Sequence, residues 1–169
     1  MLDLKKYLDS WIIELDKPVK DGEYFGPTCP YARSAWINNK VKTVKVQEDW
    51  DLNEFWETIL VECNNYDNKY EAVIVGANTN QHIINGLQLA GGSDALNTFL
   101  NIQNKNLWVL ASHGELFTIV IIQKITDLDS QSKVLEKKNY YKVRYNDYIF
   151  DKNVVRRRKM REKLNLDKD

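Results

Sequence analysis

Leu4, Leu8, Trp11, Ile12 and Leu15 recur at helical spacing, which predicts an amphipathic helix over 2–16 that Lys17-Pro18 ends. Asp21-Gly22 marks a turn, and a loop through Gly26-Pro27 leads to Cys29. Thr28 or Cys29 is then expected as the N-cap of a short helix, with Pro30 in its first turn and an end near Asn38-Asn39. Residues 41–47 read as a strand, with Val44 and Val46 on one face and lysines opposite. Asp51 and Glu54 form an acidic capping box before a stripe of Leu52, Phe55, Trp56, Ile59, Leu60 and Cys63. Residues 70–75 are a compact apolar strand closed by Gly76 and a polar turn at Asn78-Thr79-Asn80.

Ile83, Ile84 and Leu87 open another helical face. Gly91-Gly92 is expected to break or bend it, with Ser93 capping a second piece that carries Leu96, Phe99, Leu100 and Ile102. Residues 107–111 and 117–122 are two strands whose short gap, Ser112-His113-Gly114-Glu115, suits an antiparallel hairpin. A polar helix follows over 126–138. The tyrosine-rich stretch 139–150 reads as an edge strand or an ordered loop, and Asp151 caps a terminal basic helix.

Two strand–helix–strand crossovers plus a hairpin predict a mixed sheet in an α+β sandwich, with helices mainly on one face. The expected organisation is a single domain: a helical lead-in and loop over 1–27, a body over 28–150 and a basic C-terminal helix over 151–169.

Composition adds two things. The net charge of +0 gives no overall field toward nucleic acid or membrane, yet from residue 150 onward eight Lys/Arg face four Asp/Glu, so a basic tail adjoins an acidic body. No apolar run approaches the roughly 20 residues of a membrane span, and no secretion signal opens the chain, so a cytoplasmic protein without membrane contact is expected. Two cysteines form neither a disulfide framework nor a zinc pattern, and Cys29, Cys63, His82 and His113 lack metal-ligand spacing. No cofactor is implied, and nothing in the pattern sets the oligomeric state.

Cys29 leads the candidates for chemistry, because a helix N-terminus favours a thiolate. His113, in a turn between core strands, is the natural partner base, and Arg144 is the candidate anion clamp. Cys63 lies on an apolar stripe and reads as a buried, inert filler. His82 reads as a surface residue. The Gly-Gly pair lacks the lysine and the preceding strand of a phosphate loop.

Cys29-Pro30-Tyr31-Ala32-Arg33 resembles the Cys-Pro-Phe-Ala-Lys segment of an uncharacterised bacterial protein family of unknown function. There the motif likewise precedes a strand, a helix, a strand and a helical region. The family's Ala-Ser-Phe-His-Pro is matched by Ala111-Ser112-His113-Gly114, one residue shorter and with glycine in place of proline. Its later Asn-Tyr and arginine correspond loosely to Asn139, Tyr140 and Arg144. The resemblance spans roughly residues 28–145 and implies the fold and the choice of residues, but no activity. Thr28-Cys29-Pro30-Tyr31 also looks like the active-site turn of glutaredoxins and some glutathione transferases. Ala32 would make such a protein monothiol, and no proline follows Pro30.

Two functions are therefore expected to compete. One is a thiol-dependent enzyme using Cys29, His113 and Arg144. The other is a binding protein acting through Arg156, Arg157, Arg158, Lys159 and Arg161 on nucleic acid or an acidic protein partner. In that second reading Val154, Val155, Met160 and Leu164 dock one side of the helix and leave Arg157, Arg158 and Arg161 outward; the bland alternative, which is favoured, is a basic helix face balancing the acidic body.

Overall fold

The structure, a computed structural model, describes residues 3–27, 29, 31–79 and 85–164. Helix α1 (Leu4–Asp16) begins where the Asp3 carboxylate accepts the Lys5 and Lys6 N–H groups, and it buries Leu4, Leu8 and Ile12. The segment read as a loop is a small antiparallel hairpin, β1 (Pro18–Asp21) and β2 (Tyr24–Pro27). Gly22 turns it at φ +53°, a region that glycine enters without strain. Strands of four residues carry too little alternation to announce themselves in a sequence.

The main sheet has the order β3-β4-β6-β5. Strand β3 (Val41–Lys45) runs parallel to β4 (Ala72–Asn78), joined by α3 (Leu52–Asn64), whose Asp51 cap accepts the Glu54 N–H as the sequence predicts. From β4 the chain crosses through α4 (Gly86–Ile102) to β5 (Leu107–His113). It then turns back as β6 (Phe117–Lys124), which inserts between β4 and β5 and is antiparallel to both. The α+β class, the mixed sheet, the βαβ unit and the hairpin are all present, and β5 forms an outer edge.

Helices cover both faces of this sheet, not mainly one. Val73, Val75, Ala77, Val109, Val120 and Ile122 point to the α3–α4 side and pack with Phe55, Ile59, Leu89 and Leu100. Ile74, Phe117, Ile119 and Ile121 point the other way, against Leu8 and Ile12 of α1. On that same side Trp108 packs with Ile125 and Met160 near the C-terminus. Alternation along β4 and β6 is apolar on both faces, so each face needs its own cover.

Helix α4 continues unbroken through Gly91-Gly92. A Cβ on Gly92 would lie 2.1 Å from Cζ2 of Trp56, so this glycine allows α3 and α4 to approach closely and does not break the helix. Asn85 and Gln88 start α4 with a reciprocal capping box. The stretch 139–150 is helical, as α6 (Tyr140–Arg144) and α7 (Asp147–Phe150), after α5 (Ile125–Lys137). Tyr140, Tyr141, Tyr145 and Phe150 stack their rings against one another in this region, which needs no strand.

Asn146, not Asp151, caps the final helical run, which passes through a π-helical segment (Asp151–Val155) into α8 (Arg156–Lys163). Arg157 points inward, 4% exposed. Its Nε donates to Oδ1 of the equally buried Asp129 of α5 at 2.7 Å. No helix among the described residues is long and apolar enough to cross a membrane.

Candidate functional site

Cys29 stands ahead of α2 (Ala32–Ile37), which has six residues and whose N-cap is Tyr31. It is therefore not the cap expected from the sequence; Thr28 and Pro30, the other parts of that reading, lie outside the described residues. Its own N–H donates to the Leu15 carbonyl at 3.0 Å. The amides of Tyr31 and Ala32 reach its sulfur and favour the thiolate, but burial outweighs them and pushes the thiol pKa up. The sulfur lines a pocket of about 80 Å³ with Trp11, Leu15, Ile74, Ile121 and Gln123. Cys63 is buried, its pKa pushed up to about 12 by desolvation, in keeping with an inert filler.

His113 is the last residue of β5 and not a residue of the turn. Its exposed ring sits with Nδ1 3.4 Å from the Thr118 hydroxyl. Its register partner Thr118 lies between Phe117 and Ile119, so the ring stands on the α3–α4 side, whereas the Cys29 pocket opens on the α1 side. The sheet separates the two residues, and the structure does not bring them together. Arg144, on α6, pairs its Nε with Asp21 at 3.5 Å. Arg144 and Cys29 do share a neighbourhood: both act on the buried phenol of Tyr24, the arginine pulling its pKa down and the cysteine pushing it up, each less than burial does. His82 lies outside the described residues. No three His, Cys, Asp or Glu side chains among the described residues are grouped to hold a metal ion.

The basic helix is folded onto the acidic body. Arg156 donates to Asp94 and to the Thr98 hydroxyl at 2.7 Å, and Arg158 donates to Glu136 at 2.7 Å. Arg157 and Arg161 both face Asp129. Lys159 is exposed. The outward orientation expected for Arg157 is wrong for a physical reason. The carboxylate of Asp129 is buried on α5, and leaving it without a cation would cost several kcal/mol.

A larger feature lies between α4, the outer edge of β5 and the π-helical segment. It is a cleft of about 340 Å³, bordered by Ser93, Ala111, His113, Tyr148, Lys152 and Asn153. That volume falls within the roughly 300–1,000 Å³ usual for small-molecule sites. Ser93 is 7% exposed, and its hydroxyl has no hydrogen-bond partner. On the outer wall Lys152 pairs with Asp94 at 3.0 Å, and Arg156, outside the lining, pairs with the same carboxylate at 3.2 Å. Lys152 and Asn153 belong to the π-helical segment, a rare form that is frequent at functional sites.

Of these residues the sequence reading picked His113 and, for a nucleic-acid or acidic-partner contact, Arg156. A signal was available for the others. Leu89, Ser93, Asn97 and Leu100 form the buried stripe of α4, so two polar residues occupy core-facing positions. Compared with protein-family profiles, with curated proteins and with solved structures, the chain gives no match.

Proposed function

We propose that this protein binds a small molecule in the cleft between α4, β5 and the π-helical segment. The observation that carries the proposal is Ser93, a residue of the cleft wall whose buried hydroxyl has no hydrogen-bond partner among the described residues. A buried polar group without a partner costs about 1–3 kcal/mol, and a ligand group that bonds it removes that cost. The mixed lining, apolar from Leu89 and Ile149 and polar from Ser93, His113 and Lys152, suits a compact ligand with a polar end. Fragment screening by NMR with amide-shift mapping tests the proposal. Hits are expected to cluster on Ser93, Ala111 and Lys152. A screen whose hits fall elsewhere, or one with no hits, overturns it.

Thiol chemistry at Cys29 is a second reading, favoured by the two amides aimed at its sulfur. The likeness of Cys29–Arg33 to the bacterial family's motif lends it that family's choice of residue and no activity. Burial opposes it, since a raised pKa leaves less thiolate at neutral pH. Iodoacetamide is therefore expected to modify Cys29 in the folded protein more slowly than a free thiol of pKa about 8.5. Modification faster than that reference at neutral pH would restore the thiol reading.

A further inference from the structure

Among the described residues no strand pairs with the outer edge of β5, and one position on it is already closed by a side chain. The Asn97 carboxamide takes both outward groups of Val109: its Nδ2 donates to the carbonyl at 2.9 Å, and its Oδ1 accepts the N–H at 2.7 Å. In an antiparallel pair, residues whose main-chain groups point outward alternate with those bonded to the neighbour strand. Val109 points outward, so Ala111 does too, about 6.8 Å further along. No described side chain bonds Ala111 as Asn97 bonds Val109.

The cleft reaches this main chain. Leu110 packs its side chain on the opposite face, beside Trp108, yet it also borders the cleft. Ala111 borders the space as well, and the alternation turns its N–H and C=O outward. Ser93 stands four residues before Asn97, one turn back along α4; the residue borders the same space, and its buried hydroxyl is unpartnered.

We infer that the ligand of this cleft is a small primary carboxamide, which docks on the outward N–H and C=O of Ala111 as Asn97 docks on Val109. This rests on the cleft being the binding site. The amide nitrogen donates to the Ala111 carbonyl, the amide oxygen accepts the Ala111 N–H, and the Ser93 hydroxyl meets a further polar atom. An extended peptide adding itself as a strand fits less well. Asn97 blocks the ladder at Val109, and β5 ends at His113, so only two outward positions remain.

Titration of ¹⁵N-labelled protein with isobutyramide, N,N-dimethylisobutyramide, isobutyric acid and an extended alanine tripeptide tests the inference. Isobutyramide is expected to move the Ala111 amide proton downfield and to saturate. The dimethyl amide and the acid are expected to bind at least tenfold more weakly. Ala111→Pro, which removes an N–H that β6 does not use, is expected to keep the fold and lose the isobutyramide response. Binding in the cleft with equal affinity for all the small compounds, or without a shift at Ala111, overturns the carboxamide assignment and leaves the cleft as the site. Tighter binding of the tripeptide overturns it in favour of strand addition. Failure of every compound to shift Ser93, Ala111 or Lys152 overturns this assignment, and if the fragment screen finds nothing there either, the site falls with it.

Discussion

Val109 and Ala111 occupy equivalent places on one strand edge, and they meet different fates. At Val109, which with Asn97 also borders the cleft, the Asn97 carboxamide closes both main-chain groups. At Ala111 the same pair of groups faces a cleft of about 340 Å³ beside an unpartnered hydroxyl. Strand edges left open invite unwanted pairing, and proteins ordinarily cover them. Here a side chain covers the edge at Val109, and no described side chain covers it two residues on, at Ala111. The wall of the open end comes from the π-helical segment, whose position depends on the buried Arg157–Asp129 pair behind it.

The largest effect should come from breaking that support. Arg157→Ala leaves the buried Asp129 with only the more distant Arg161, at 3.8 Å, and is expected to cost about 3 kcal/mol of stability. Thermal denaturation would show a fall on the order of 10 °C for a chain of this size. Amide binding should be lost together with the wall. Replacing both partners, as Arg157→Met with Asp129→Leu, should recover most of the stability, since an apolar pair has no charge to desolvate. A single variant as stable as the wild type would mean that the pair does not hold the wall.

Opening the closed end comes next. Asn97→Ala removes both bonds to Val109 and leaves its N–H and C=O buried, at an expected cost of about 2–4 kcal/mol by chemical denaturation. If added isobutyramide restores part of that loss, Val109 has become a second docking position of the same kind. The smallest effect should come from Ser93→Ala. Its hydroxyl has no partner to lose, so stability should hold or rise by up to about 1 kcal/mol, while ligand affinity falls. A loss of more than that would show that the hydroxyl is bonded within the fold.

Much of the architecture was legible because it follows from periodicity. The α3 stripe from Phe55 to Cys63, the hairpin of β5 and β6 and the crossover between β3 and β4 all come from apolar spacing read at its proper period. The failures share one cause. Gly91-Gly92 resembles a helix break unless the Trp56 ring opposite is known, and no local pattern reveals that ring. Asp129 and Ser132 on α5, and Ser93 and Asn97 on α4, sit on buried stripes where polarity argues for exposure. Each is explained only by a partner far along the chain, or in Ser93's case by none. Cys29 shows the reverse error. Its local context suggested an activated thiol, but burial by α1 and the sheet decides its ionisation. The basic tail leaves two readings, a nucleic-acid contact and the favoured one of a helix balancing the acidic body, and Asp94, Asp129 and Glu136 lie beneath its arginines.

Hydrogen exchange at two amides tests the central contrast most directly. The Val109 N–H, held by Asn97 at 2.7 Å, should exchange only through large-scale opening. The Ala111 N–H should exchange at least tenfold faster in the free protein and slow when isobutyramide saturates the cleft. Equal, strong protection of both amides without ligand would contradict the account, because it would mean that the edge of β5 is closed at Ala111 as well.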